Sequence, residues 1–164
     1  YNMAWGYDGH EFLSVNSRPW MGPKFWCPDM QGTSDGNNYK VFRYADAILM
    51  AAECLNELDR DEEALVYLNK TRNRAGIGDY TYRTHIRLQD EIRNERSREL
   101  FGEFQRKYDL VRWGTFYQVL SESTDYQART DNLKPCHEYY PIPDKEVVYS
   151  KYALDNKAYN ACGL

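Results

Sequence analysis

Residues 94–114 constrain the fold more than any other stretch, because charged side chains of both signs alternate there with large apolar ones. The pattern predicts a helix that continues, after a bend, through residues 106–120. A helix exposed on every side has no need of such apolar residues, so this one must bury part of its surface beside its charges. The large apolar residues among the charges are Leu100, Phe101, Phe104, Tyr108 and Leu110.

Two amphipathic helices with a period of 3.6 residues are predicted upstream of this stretch. The first runs from Arg43 to about Leu58, and Asp59-Arg-Asp-Glu62 resembles a capping box that begins the second. Gly76 suits the position just after the second helix. The two helices form a hairpin of about 34 residues, the length of one tetratricopeptide unit. Its expected inner residues are Ala45, Ile48, Leu49, Ala52, Leu55, Ala64, Leu65, Leu68, Thr71 and Ala75.

The rest of the chain divides into a third helix and two loop-rich parts. Apolar residues from Leu88 onward mark the third helix, and the chain beyond Ser121 is loop-like apart from a short helical turn over residues 145–149. Residues 1–42, rich in Gly and Pro, indicate the tail of a larger region, whereas residues 43–164 form the helical region. We therefore expect an all-α fold with a tetratricopeptide-like hairpin, further helices and long irregular loops.

The charge balance and the histidines exclude several classes of function. With 21 basic and 25 acidic residues, the chain offers no electrostatic case for binding nucleic acid. No run of 18 apolar residues exists to span a bilayer. His10, His85 and His137 have no partner at helical spacing, so we expect no metal and no cofactor.

The four cysteines are far apart and form no C-x-x-C pair. Cys54 falls within the first apolar helical pattern, which predicts a small buried thiol. A bridge between Cys27 and Cys136 is left open, because spacing alone does not establish a pairing.

Several motifs, taken together in order and spacing, resemble one known family. The chain over about residues 40–160 is similar to the C-terminal part of the SusD/RagB family of Bacteroidetes. The motifs are Arg-Tyr-Ala-Asp-Ala-Ile-Leu-Met-Ala-Ala-Glu at 43–53, Leu-Asn-Lys-Thr-Arg-Asn-Arg-Ala-Gly at 68–76, Glu-Arg-Ser-Arg-Glu-Leu at 95–100, Tyr-Asp-Leu-Val-Arg-Trp-Gly at 108–114 and Tyr-Pro-Ile-Pro at 140–143.

The resemblance implies an outer-membrane lipoprotein at the extracellular face of the cell, built on tetratricopeptide-like helix pairs. Such a protein captures nutrients, usually an oligosaccharide or polysaccharide, and passes them to a SusC-like TonB-dependent transporter. Family members are several times longer than this chain, so a lipid anchor outside the chain would attach it to the membrane. The family has no fixed ligand motif, so the resemblance assigns no ligand-binding residue in this chain.

Glu95 and Glu99 invite a catalytic hypothesis, because residues four apart on a helix bring two carboxyls close together, as in retaining glycosidases. A general acid needs a raised pKa, however, and the neighbouring Arg96 and Arg98 favour the ionised form. We therefore expect no enzyme activity. The alternative is a structural network of ion pairs that fixes the docking of this helix. The network is expected to comprise Glu95, Arg96, Glu99, Arg106, Asp109 and Arg112.

The aromatic residues near the start of the chain are the candidate ligand-binding residues. Flat aromatic rings suit the C–H faces of sugars, although the same rings also suit anchoring of irregular chain to a helical core. The candidates are Trp5, Tyr7, Trp20 and Trp26. The expected function is non-catalytic glycan capture, with a helical-repeat scaffold for protein interaction, or capture of a non-carbohydrate nutrient, as alternatives.

Overall fold

The computed structural model describes residues 38–82, 84–122 and 132–162, and this part of the chain is helical and contains no strand. The all-α prediction is confirmed. By contact the chain divides into two compact units, the first ending at Arg106 and the second beginning at Lys107. The helices are α1 (Tyr44–Glu57), α2 (Asp61–Arg74), α3 (His85–Glu99), α4 (Arg106–Arg112), α5 (Phe116–Ser121), α6 (Asp144–Tyr149) and α7 (Lys157–Ala161), with a 3₁₀ helix at Pro135–Glu138.

The core of the first unit lies where α1, α2 and α3 meet. Ala52 and Ala64 are fully buried, and their small side chains allow α1 and α2 to approach closely. Helix α3 contributes Leu88 and Ile92 to the same core. The six residues of this core are Leu49, Ala52, Ala64, Leu68, Leu88 and Ile92.

The turn between α1 and α2 corrects the predicted capping box. Asp59 has a φ of 58° and ends α1, since its amide donates to the carbonyl of Asn56 and the amide of Arg60 donates to the carbonyl of Leu55. This is the Schellman arrangement, with Asp in the place usually taken by Gly. The residue before α2 is Arg60, which makes no side-chain cap. The acidic residues of this stretch therefore have two different positions. Asp59 ends α1, and Asp61 and Glu62 lie in the first turn of α2.

The end of α2 agrees with the predicted role of Gly76. Its φ is 73°, a conformation that glycine adopts without a steric penalty. Its amide donates to the carbonyl of Asn73, and the amide of Ile77 donates to the carbonyl of Arg72. The second helix thus stops in a Schellman motif at the expected residue.

The predicted long helix is interrupted, and three of its five large apolar residues are solvent-exposed. Helix α3 ends at Glu99, and a turn that includes Gly102 and Phe104, both with positive φ, leads to α4. Leu100 and Leu110 are buried as predicted. The prediction was wrong for Phe101, Phe104 and Tyr108, which are 52%, 74% and 61% exposed. Phe101 and Phe104 lie in the turn itself and not in a helix.

A disulfide and an asparagine tie the loops of the second unit together. Cys136 in the 3₁₀ helix is bonded to Cys162 at the end of α7. The side chain of Asn156 accepts from the amide of Ile142 at 2.8 Å and donates to its carbonyl at 2.9 Å. Cys136 is therefore not bonded to Cys27, which lies outside the described residues. Cys54 is a free thiol and exposed, so its predicted burial was wrong.

Candidate functional site

An arginine just before α1 binds two buried carboxylates that lie near the C-terminal end of the first unit in sequence. The Arg43 guanidinium donates to Glu103 at 2.7 and 2.8 Å and to Glu99 at 2.6 Å. Burial alone would lower the pKa of Arg43, but its hydrogen bonds to Glu103 and Glu99 and their charges outweigh burial and raise it. Arg74 at the end of α2 also pairs with Glu99. We call Arg43, Arg74, Glu99 and Glu103 the Arg43 cluster.

A second set of ion pairs runs along the buried side of α3. The side chains of Arg96 and Asp46, only 4% and 6% exposed, pair at 2.9 Å between Nη1 and Oδ1. Glu95 accepts from Arg98 at 2.7 Å and lies 3.7 Å from Arg72. Burial opposes the charged form of Arg98, but hydrogen bonding to Glu95 prevails and raises its pKa. Three carboxylates of α3, those of Glu91, Glu95 and Glu99, therefore each pair with at least one guanidinium.

The remaining residues of the predicted network are Arg106, Asp109 and Arg112. In the second unit, Arg112 donates to Asp109 at 2.9 Å, one helical turn away. Arg106 donates to the backbone carbonyl of Arg93 at 3.5 Å. Of the predicted residues, Glu95, Arg96 and Glu99 on α3 have partners on α1 and α2.

A cavity of about 230 Å³ lies beside the Arg43 cluster, against α1 and α2. Arg43 and Arg74 line it together with a third cation, Lys70. Tyr44, at the first residue of α1, adds a ring that is 77% exposed. The other lining residues are Ala45, Ile48 and Thr71.

Residues 24–159 match the family model described as the SusD family. The chain belongs to the SusD family. This match covers the Arg43 cluster and all residues that line the cavity.

Curated relatives and a solved structure agree with this assignment. SusD-like proteins P25 and P2 of Formosa agariphila are 36% and 34% identical over 87% and 92% of this chain. The chain spans 28% and 32% of the length of these relatives. The crystal structure of a SusD superfamily protein from Bacteroides vulgatus is 33% identical, with a TM-score of 0.60 over 68% of this chain and 25% of that one.

The aromatic ligand candidates of this SusD chain lie outside the described residues. Trp5, Tyr7, Trp20 and Trp26 therefore remain predictions. Among the residues described, no group of three or more His, Cys, Asp or Glu is arranged to hold a metal ion. Across the same residues, no helix combines the length and apolar character needed to cross a membrane.

Most partners of the predicted charged residues were not predicted from the sequence. Arg43 lies 56 residues from Glu99 and 60 from Glu103, a separation that helical spacing does not reveal. An ion pair of Asp46 could have been predicted, since Asp46 is a charged residue on the inner face of an amphipathic helix. Such a residue needs a partner of opposite charge when it is buried. The residues missed are Arg43, Asp46, Arg72, Arg74, Glu91 and Glu103.

Proposed function

We propose that this chain takes part in non-catalytic capture of glycan nutrients at the outer-membrane surface and in their delivery to a SusC-like TonB-dependent transporter. The observation that carries the proposal is the SusD family match over residues 24–159. The described structure supplies two further supports: the arginine partners of the carboxylates and the disulfide.

The carboxylates support binding rather than hydrolysis. Glu95 and Glu99 are buried, and each accepts hydrogen bonds from arginine side chains. A glycosidase needs two carboxyls that flank the scissile bond and are free to contact the substrate, whereas both of these are bonded to guanidiniums. Two carboxylates held in this way stabilise the docking of α3 and are not positioned opposite each other across a sugar-binding cleft.

The disulfide supports an extracellular location. Bonds such as Cys136–Cys162 persist in oxidising compartments and are rare in the reducing cytosol. A lipid anchor outside this chain would attach the protein to the outer membrane, as the family resemblance implies.

Affinity electrophoresis tests the proposal, using native gels that contain single polysaccharides and a gel without polysaccharide as the control. Retardation by at least one glycan, with no release of reducing sugar, is the expected result. A pull-down with a SusC-like transporter from the same organism tests delivery. Absence of retardation on a broad set of glycans would contradict the proposal.

The outer face of α1 favours a second candidate, a helical-repeat scaffold that binds protein. Tyr44, Ala47, Met50, Cys54 and Leu58 are exposed there, and none of them is charged. Apolar helix faces of this kind dock other helices. Transporter binding without any glycan effect would favour the scaffold, and binding of peptides without glycans would favour a non-carbohydrate nutrient.

A further inference from the structure

The cavity beside the Arg43 cluster carries more positive than negative charge. Three cations line it, and the two carboxylates that bind Arg43, Glu99 and Glu103, compensate two of those charges. The whole chain has a net charge of −4, so a positive site contrasts with the rest of the protein. This local excess favours an anionic ligand.

Lys70 and Arg74 are the cations that retain hydrogen-bonding capacity for such a ligand. The side chain of Arg74 is 62% exposed, and its bond to Glu99 uses only part of a guanidinium that has five N–H donors. Lys70 is exposed, with its ammonium 4.4 Å from the centre of the Tyr67 ring. A cation–π contact leaves the ammonium able to donate to an anion.

The other lining residues suit a sugar ring. Tyr44 offers an exposed aromatic face at the cavity, and Ile48 and Ala45 supply apolar surface for C–H groups. The volume of about 230 Å³ is below the roughly 300–1,000 Å³ of sites for drug-sized ligands, so it suits one sugar residue.

We propose that this cavity binds one anionic sugar residue of a polysaccharide, with the anion on Arg74 and Lys70 and the ring against Tyr44. The anion is a carboxylate, as in a uronic acid, or a sulfate ester, since a planar guanidinium fork and an ammonium bind either group. The proposal rests on the glycan capture proposed above and specifies its substrate class.

Calorimetric titration with three matched probes tests the proposal: a galacturonic acid trimer, a sulfated galactose trimer and a neutral galactose trimer. At low salt we expect at least one anionic trimer to bind about tenfold more tightly than the neutral one, the effect of one charge-assisted hydrogen bond. Added salt should reduce this preference, because the cations are partly exposed. The two anionic trimers distinguish carboxylate from sulfate recognition.

The variant Lys70→Glu reverses one charge at the cavity and should remove most of the preference for the anionic trimer. Arg87→Glu is the matched control, because it makes the same charge change at an exposed residue near the opposite end of α3 from Glu99. Tyr44→Ala should weaken binding of the anionic and the neutral trimers alike. Lys70→Gln, which only removes the charge, serves if Lys70→Glu does not fold.

Equal affinity of wild-type protein for all three trimers would overturn the proposal, and so would unchanged anion binding in Lys70→Glu. In either case, retardation by neutral polysaccharides would leave glycan capture intact. Failure of every trimer and every polysaccharide to bind would overturn glycan capture as well.

Discussion

At the scale of single residues, Arg43 has the most demanding role in the first unit. It lies between two carboxylates, Glu99 and Glu103, that are only 9% and 5% exposed, and it is a donor to both of them. A buried ion pair adds little net stability compared with an apolar pair, but removal of one partner leaves a charge without compensation. We therefore expect the stability of the first unit to depend strongly on Arg43, although this residue lies outside the helix.

We predict that Arg43→Met lowers the free energy of unfolding by about 3–5 kcal/mol, since it leaves Glu103 and one oxygen of Glu99 without this cation. Arg43→Lys should recover only part of the loss, because an ammonium does not span two carboxylates as a guanidinium does. Urea unfolding followed by circular dichroism measures both effects. Arg60→Met is the control, because the Arg60–Glu63 pair is exposed. A midpoint for Arg43→Met equal to that control would contradict the prediction.

The exposed pair of Arg60 and Glu63 gives a prediction about pH. The hydrogen bond from Arg60 lowers the pKa of the Glu63 carboxyl. A carboxyl with a lowered folded-state pKa stabilises the fold above its unfolded pKa, and this contribution is lost as pH falls through the folded value. In Arg60→Met, the pKa of Glu63 should return toward the ordinary value of about 4.3. Titration of the Glu63 side chain by NMR measures it, and identical curves in both proteins would show that Arg60 does not cause the lowered pKa.

At the scale of helices, the ends of α1 and α2 are formed by the same motif with different residues. Asp59 adopts a positive φ at a position where Gly is favoured, whereas Gly76 satisfies the same requirement without strain. We predict that Asp59→Gly stabilises the protein by roughly 0.5–1 kcal/mol and that Gly76→Ala destabilises it by a similar amount. A Cβ on Gly76 would meet no atom within 4 Å, so the effect there is conformational strain alone. Thermal unfolding of both variants measures whether the two changes in stability have opposite signs.

The sequence predicted elements that local pattern determines and missed those that depend on distant contacts. Periodicity located α1 and α2, and Gly76 marked the end of α2, because each of these depends on neighbouring residues. A bend before residue 106 was predicted, but its beginning directly after Glu99 was not, since Phe104 has a positive φ that its residue type does not favour. The charged residues of α3 were recognised, but their partners on the hairpin were not, because tertiary packing alone brings them together.

The apolar periodicity of α1 also gave a wrong prediction, that of a buried Cys54. The reactivity of this thiol tests whether the face of α1 that carries it is exposed in solution. Cys54 is free and exposed, so in a Cys27→Ser background it should react with a maleimide at a rate close to that of an unfolded control. Cys136 and Cys162 should not react, because they are bonded to each other. Mass spectrometry of the labelled protein measures the rate. Slow labelling of Cys54 in the native protein would show that another part of the protein or a partner covers this face.

At the scale of the whole molecule, the two units differ in what holds them together. In the first, three helices share an apolar core and buried ion pairs. In the described part of the second, the buried apolar residues are Leu110 and Phe116, and the disulfide joins residues 26 apart. Small structures with little apolar core depend strongly on such bonds. The disulfide is therefore expected to matter mainly for the second unit.

We predict that the double variant Cys136→Ser, Cys162→Ser destabilises the second unit by about 2–4 kcal/mol, because the bond no longer restricts the unfolded chain. Hydrogen exchange should show faster exchange in α5 and α6, while amides of Leu68 and Ile92 in the first unit keep their protection. Cys54→Ser, which removes a thiol without breaking a bond, is the matched control and should leave both units unchanged. Equal loss of protection in the two units would show that the disulfide stabilises the whole chain and not one part of it.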